Sequence, residues 1–299
     1  MNRFLRLPTL FHGTFLRAAR HDCLNLAQST AYSAIVALFP ALIVAAAVVS
    51  LLPDSAPIRF QLAIFFDRIL PSDVTPLLGS YFVPSPHSIH STHALSIAFL
   101  VSLSGASSVI ATLMEGVRRA NQLPEDCWTF WQRRLRALVL VPLSLLPFAL
   151  ASLLVVFGHF ITLWLALHVM PSIRAPVYVV ALLFRWTIAL AGCIGIIALI
   201  YHMGTPMRQS WKRTLPGAIV ATAMWFVSTL VFGWYVTRFA NYSQVYGSLG
   251  VGIALLFWLY IISLSILCGA EFNTEFYERF FRPNEVDSLP FTPNSPPAG

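Results

Sequence analysis

The chain has 299 residues, of which 57% are hydrophobic and only 10% charged, with a net charge of +7. Its mean hydropathy is +0.73 and its pI about 9.6. A soluble domain carries about 25% charged residues, so a water-soluble core of this size is excluded, and whether the positive charge addresses nucleic acid depends on where the basic residues fall.

Six apolar runs follow one another: Ala31–Leu52, His93–Leu113, Ala137–Trp164, Val177–Tyr201, Pro216–Arg238 and Ser248–Ala270. Each is near or above the roughly 20 residues an α-helix needs to cross hydrocarbon. They exceed ordinary strand length and lack the alternation of a β-barrel, so the fold class is all-α: a polytopic membrane bundle of six transmembrane helices with interfacial helices. Residues 1–30 form an N-terminal cytoplasmic segment, 31–273 the membrane domain and 274–299 a cytoplasmic tail. The end of that tail, with Pro290, Pro293, Pro296 and Pro297, reads as disordered. The first span reads as an uncleaved signal-anchor.

Fourteen of the nineteen Lys and Arg residues fall in the N-terminal segment, the second-to-third and fourth-to-fifth connections and the C-terminal tail. Arg59, Arg68, Arg174 and Arg238 fall on the other side, and Arg185 lies inside a span. The positive-inside rule then places both termini in the cytoplasm. The basic residues sit at helix ends, so their partners are anionic lipid headgroups at the cytoplasmic face rather than nucleic acid.

Between the first two spans, Ile58–Leu70 reads as an outer interfacial helix, with a re-entrant segment as the rival. His87, His90 and His93 resemble a metal tract, but a three-residue spacing turns a helix by about 300° per step and no carboxylate or Cys completes a site, so no metal is expected. In the second span Ser102, Ser104, Gly105, Ala106, Ser107 and Ser108 allow close helix approach, with a polar path as the alternative. Trp128 and Trp131 beside Arg133, Arg134 and Arg136 would anchor the following loop at headgroups. Pro40, Pro142 and Pro147 each remove a backbone donor inside a span and are expected to kink it. Cys23, Cys127, Cys193 and Cys268 form no C-x-x-C pair, which indicates neither disulfide nor zinc.

Arg185 stands eight positions into the fourth span, about 12 Å from its outer end. No acid lies inside any span to neutralise it, so it snorkels or binds carbonyls, water or an anion. The start of the sixth helix offers Gly247 and Ser248 at a positive helix end, preceded by Tyr242, Gln244 and Tyr246. With Arg185 and Arg238 these form a candidate ligand site for a negatively charged group in the outer half; helix capping and glycine packing are the simpler roles. Glu271 and Asn273 close the sixth span, where Glu271 forms a structural ion pair with Arg213 or another interfacial arginine, or serves as a proton-coupling carboxylate.

The strings R-T-L-P-G-A from Arg213, Y-S-Q-V-Y-G-S-L-G from Tyr242, F-W-L-Y from Phe257 and G-A-E-F-N from Gly269 keep an order that is recognisable. With A-Y-S-A-I-V-A-L-F-P from Ala31, R-R-A-N from Arg118 and W-Q-R-R-L from Trp131, the chain resembles the YihY/virulence factor BrkB family from Ala31 to Asn273. The resemblance implies a bacterial inner-membrane protein of six spans whose molecular activity is unsettled, and an older ribonuclease label that is a misassignment. The residues agree: there is no clustered Asp/Glu/His set, no G-x-S-x-G elbow and no phosphate-binding glycine loop. The expectation is a non-enzymatic transporter or lipid-handling protein for an amphiphilic or anionic ligand, without cofactor. The alternative is a non-catalytic envelope scaffold or interaction protein.

Overall fold

The computed structural model describes residues 7–50, 92–146, 171–206, 210–239 and 248–281, all of them helix or short connection. Helix α1 spans Leu7–Arg20, α2 Cys23–Ser50 and α3 Thr92–Ala120. A single turn at Glu125–Cys127 leads into α4, residues 130–146. Helices α5, α6 and α7 span Pro171–Met203, Trp211–Phe239 and Ser248–Phe281. No strand occurs among the described residues.

Five helices contain stretches long and apolar enough to cross a membrane: Cys23–Ala45, Leu95–Ala120, Pro176–Met203, Trp211–Val236 and Gly252–Phe280. They correspond to five of the six expected spans. Of the other, Ala137–Trp164, only residues 137–146 are described, as part of α4, and residues 147–170 lie outside the described residues. The interfacial segment Ile58–Leu70 and the outer-loop histidines His87 and His90 also lie outside them, whereas His93 falls in the first turn of α3, whose side chains are described from Leu95.

Several boundaries differ from the hydropathy reading. The N-terminal segment is not featureless: it holds α1, and α2 begins at Cys23, eight residues before the apolar run. Asp22 makes the corner with φ of 56°, a left-handed conformation that Asp tolerates better than most side chains. Gln122 has φ of 53° just past α3, where its N–H donates to Arg119 O (2.9 Å) and that of Leu123 to Arg118 O (3.1 Å). At the other end, α7 continues past Asn273 to Phe281, so the segment from 274 opens as helix. Helix α2 runs unbroken through Pro40, and α4 through Pro142.

Helix α2 packs along α3, α6 along α7, and α7 also lies against α2, α3 and α1. The buried core gathers at the end of the bundle where the arginines are. Cys23 and Ala27 of α2, Ile110 to Met114 of α3, Ala137 to Val141 of α4, Ile200 of α5 and Leu267 of α7 form one cluster. Val117, Ala120, Ile197, Ala198, Tyr201, Ala218, Ala221 and Ala270 form another beside it. Nearer the opposite end the large side chains face outward: Leu100 is 62% exposed, Phe184 64% and Val231 59%. In water these would be a liability; against lipid they are the natural outer surface of a helical bundle.

Backbones meet closely inside the core. A Cβ on Gly269 would stand 2.5 Å from Ala221 Cβ and 2.6 Å from both Gly217 O and Tyr201 Oη, and one on Gly217 would stand 2.5 Å from Asn273 Cβ. Only glycine permits this crossing of α6 and α7.

Candidate functional site

From the Gly217–Gly269 crossing, α6 and α7 continue side by side, and a groove of about 730 Å³ runs along one flank of the pair. Val227, Val231 and Phe232 of α6 and Ile253, Phe257 and Ile261 of α7 give it an apolar wall, with Ser228, Tyr235 and Ser265 as its polar groups. The pair is tied together beside it by Trp258 Nε1 donating to Thr229 Oγ1 (3.3 Å) and by the Phe232–Phe257 rings, 5.7 Å apart. The groove extends to Val236 and Gly250, the ends of the two helices farthest from the core. A volume of several hundred cubic ångströms with apolar walls and few polar groups suits a hydrocarbon chain or drug-sized amphiphile.

Of the residues expected to bind an anion, Arg185, Arg238 and Ser248 fall among the described residues. Arg238 is exposed in the last turn of α6, beyond the groove end. Ser248 opens α7, while Tyr242, Gln244, Tyr246 and Gly247 lie outside the described residues. Arg185 is half-buried on α5, and its Nε is a buried donor with no hydrogen-bond partner among the described residues. Counting up α5 from Tyr201, which shares the Gly217–Gly269 crossing, Arg185 stands about 24 Å away. The same rise along α6 and α7 reaches Gly233 and Ile253, so Arg185 is at the height of the groove.

The opposite end is a dense charged assembly. Glu271 is fully buried, with Arg17 Nε 3.4 Å from its Oε2 and His21 Nδ1 2.6 Å from its Oε1. The Cys23 thiol donates to the same carboxylate at 3.8 Å. Arg17 Nη1 also reaches Glu275 (3.2 Å) and Glu278 (2.6 Å), and its Nη2 donates to the Ala120 carbonyl at the end of α3 (3.2 Å). One guanidinium therefore joins α1, α3 and α7. Burial opposes its charge, but the hydrogen bond and charge of Glu278, with Glu271 and Glu275, prevail and hold its pKa above the ordinary arginine value.

The interfacial arginine that pairs with Glu271 is thus Arg17, whereas Arg213 lies over the Tyr277 ring, 4.0 Å from its centroid. Asn273 acts elsewhere, its Oδ1 accepting from the Gly217 N–H (3.1 Å) and so stitching α7 to α6 directly after Pro216. A second knot surrounds Glu115, which receives Arg118 (2.7 Å), Arg119 (2.9 Å) and Arg133 (3.5 Å). Arg136 lies over Trp128, 3.5 Å from the ring centroid. Arg134 instead donates to Ser104 and Ser108 of α3. Sequence reasoning missed α1, Arg17 and His21. The available signals were Leu10, Thr14, Arg17 and Ala18 at helical spacing, and Glu271, Glu275 and Glu278 on one face of α7.

Long apolar helices that expose hydrophobic side chains along their length, tied at one end by buried ion pairs, define a multi-pass helical membrane protein. The chain belongs to the Virulence factor BrkB family, whose model matches residues 14–289. It is 26% identical to the "Putative ribonuclease-like protein YfkH" of Bacillus subtilis, over 91% of this chain and 96% of that protein. It is 28% identical to a UPF0761 membrane protein of Alteromonas mediterranea, over 92% of this chain and 90% of that one. A UPF0761 membrane protein of Tolumonas auensis is 35% identical over a shorter stretch, 27% of this chain and 26% of that one. No solved structure matches.

Proposed function

We propose that this chain is a lipid-handling or transport protein of the bacterial inner membrane, with six spans and both termini cytoplasmic. It binds an amphiphilic anion with its apolar part in the α6–α7 groove and its charged part at the outer end. The observation that carries this reading is the groove itself, about 730 Å³ of apolar space leading toward Arg238 and the start of α7. Arg185 at the same height supports it, because a cation whose buried Nε has no partner among the described residues favours an anion nearby. The positive end of the α7 dipole adds to the same field.

The word "ribonuclease" belongs to the name of the Bacillus relative. Among the described residues, no group of three His, Cys, Asp or Glu side chains could hold a metal ion of the kind a two-metal nuclease uses. We propose a non-enzymatic role, and the purified protein is expected to leave RNA intact.

The experiment is reconstitution into liposomes with a fluorescent-lipid scrambling assay and an anion-flux assay in parallel. Wild type is expected to accelerate one of the two, and Ala254→Trp, which fills the groove, to abolish that gain while inserting normally. Equal rates in protein-free vesicles, wild type and variant would refute transport and leave the scaffold reading.

A further inference from the structure

We propose that a second groove, between α2 and α3, binds the phosphate of an anionic phospholipid from the surrounding bilayer, with Arg134 as its cationic contact. This site lies on other helices than the α6–α7 groove and stands independently of it. Its volume is about 420 Å³, with Tyr32, Ser33 and Val36 on one side and Leu100, Ser104 and Ser108 on the other. Gly105 against Ala37 closes the floor, since a Cβ on that glycine would stand 2.6 Å from the alanine Cβ. The rim is open sideways, with Tyr32 67% and Leu100 62% exposed.

Arg134, on α4, holds two of the residues that line this groove, Ser104 and Ser108. Its Nη1 donates to Ser108 Oγ (3.0 Å), and its Nη2 to Ser104 Oγ (3.0 Å) and Ser104 O (3.2 Å). Ser104 lies about 24 Å along α3 from Ala120, so the guanidinium meets the middle of a membrane-spanning helix rather than its charged end. Of the neighbouring arginines, Arg17, Arg118, Arg119 and Arg133 face carboxylates and Arg136 lies over the Trp128 ring. Among the described residues, the partners of Arg134 are hydroxyls and one carbonyl, which satisfy hydrogen bonds but leave the charge uncompensated.

A cation in low dielectric attracts an anion strongly, and a guanidinium matches phosphate oxygens with paired N–H donors. The Ser108 hydroxyl already donates to Ser104 O (3.0 Å), whereas the Ser33, Ser104 and Tyr32 hydroxyls lining the groove can donate to the same oxygens, and Val36 and Leu100 give an acyl chain an apolar bed. A phospholipid supplies both halves; free phosphate supplies one.

The test counts lipids retained by the full-length protein in native mass spectrometry after detergent extraction and incubation with dioleoyl-phosphatidylglycerol. Arg134→Gln and Leu100→Trp, the second filling the groove with the arginine intact, are each expected to lose one tightly held lipid. Arg136→Gln, altering the exposed arginine over Trp128, is expected to lose none. Retention should survive about 0.5 M salt, which screens charges in water but much less a contact covered by the bound lipid. Ala254→Trp removes a different lipid if the α6–α7 reading holds, and its outcome bears on that reading alone. Equal retention of dioleoyl-phosphatidylcholine, full competition by inorganic phosphate, loss in salt, or unchanged lipid counts in Leu100→Trp would each overturn the proposal, including where Arg134→Gln yields no folded protein.

Discussion

Replacing Arg17 with Met is expected to destabilise the protein severely, because it strands a carboxylate that water cannot reach. The Glu271 side chain has no exposure and that of Arg17 14%, so the pair is a buried one. Removing one member of such a pair costs about 3–5 kcal/mol, mostly the penalty of an uncompensated buried charge. His21 at 2.6 Å remains as a partner, which places the expected loss at the lower end, about 3 kcal/mol. Each kcal/mol shifts the melting temperature of a mid-sized domain by about 2–4 °C, so a fall on the order of 10 °C follows. The assay is loss of the monodisperse peak in detergent after heating. Arg17→Met combined with Glu271→Leu removes the stranded charge and is expected to recover at least half of the fall. A single variant as stable as wild type, or a double variant no better than the single, would refute the argument that α1 is held by charge pairing in a dry site.

Gly217→Ala is expected to destabilise by about 1–3 kcal/mol through forced separation of α6 and α7, whereas Gly195→Ala, whose Cβ meets nothing within 4 Å, should stabilise by about 0.5–1 kcal/mol; thermal melts of the pair distinguish steric from general glycine effects. Reporter fusions at Pro86 and after Asn284 are expected to report outer and cytoplasmic compartments respectively, and the reverse pattern would invert the proposed topology. Arg185→Leu is expected to accumulate normally, since it removes the insertion cost of a mid-span cation, yet to lose transport, while Arg185→Lys keeps part of it. Full transport in the leucine variant would reduce Arg185 to a snorkelling side chain.

The spans were legible because lipid imposes a crude and repeated demand, some twenty apolar residues, which the runs around Val177–Tyr201 or Ser248–Ala270 meet on their own. Helix ends were less so. The residues Asn25, Gln28, Ser29 and Thr30 interrupt the hydropathy before Ala31, yet the helix begins at Cys23, because its start is fixed by the corner at Asp22 rather than by apolarity. Glu271 was recognisable as an ion-pair member, but its partner stands 254 residues away, and nothing local in either segment encodes that meeting. Arg134 shows the same limit: its neighbours Trp131 and Arg133 suggest a headgroup anchor, while its actual reach toward Ser104 depends on which faces of α3 and α4 oppose each other. The groove between α6 and α7 is a property of two apolar surfaces failing to fill space, and composition alone carries no trace of that.

The crossing at Gly217 and Gly269 gives the α6–α7 pair the mechanics of tweezers. Its joint is locked by Asn273 and by backbones too close to slide, and it is embedded in the rigid, buried part of the bundle. Beyond the joint the arms carry side chains that face outward, and they are cross-tied by the Trp258–Thr229 hydrogen bond and the Phe232–Phe257 rings. A guest entering from the bilayer would meet the cross-tied, outward-facing end, with the glycine joint standing between it and the charged assembly.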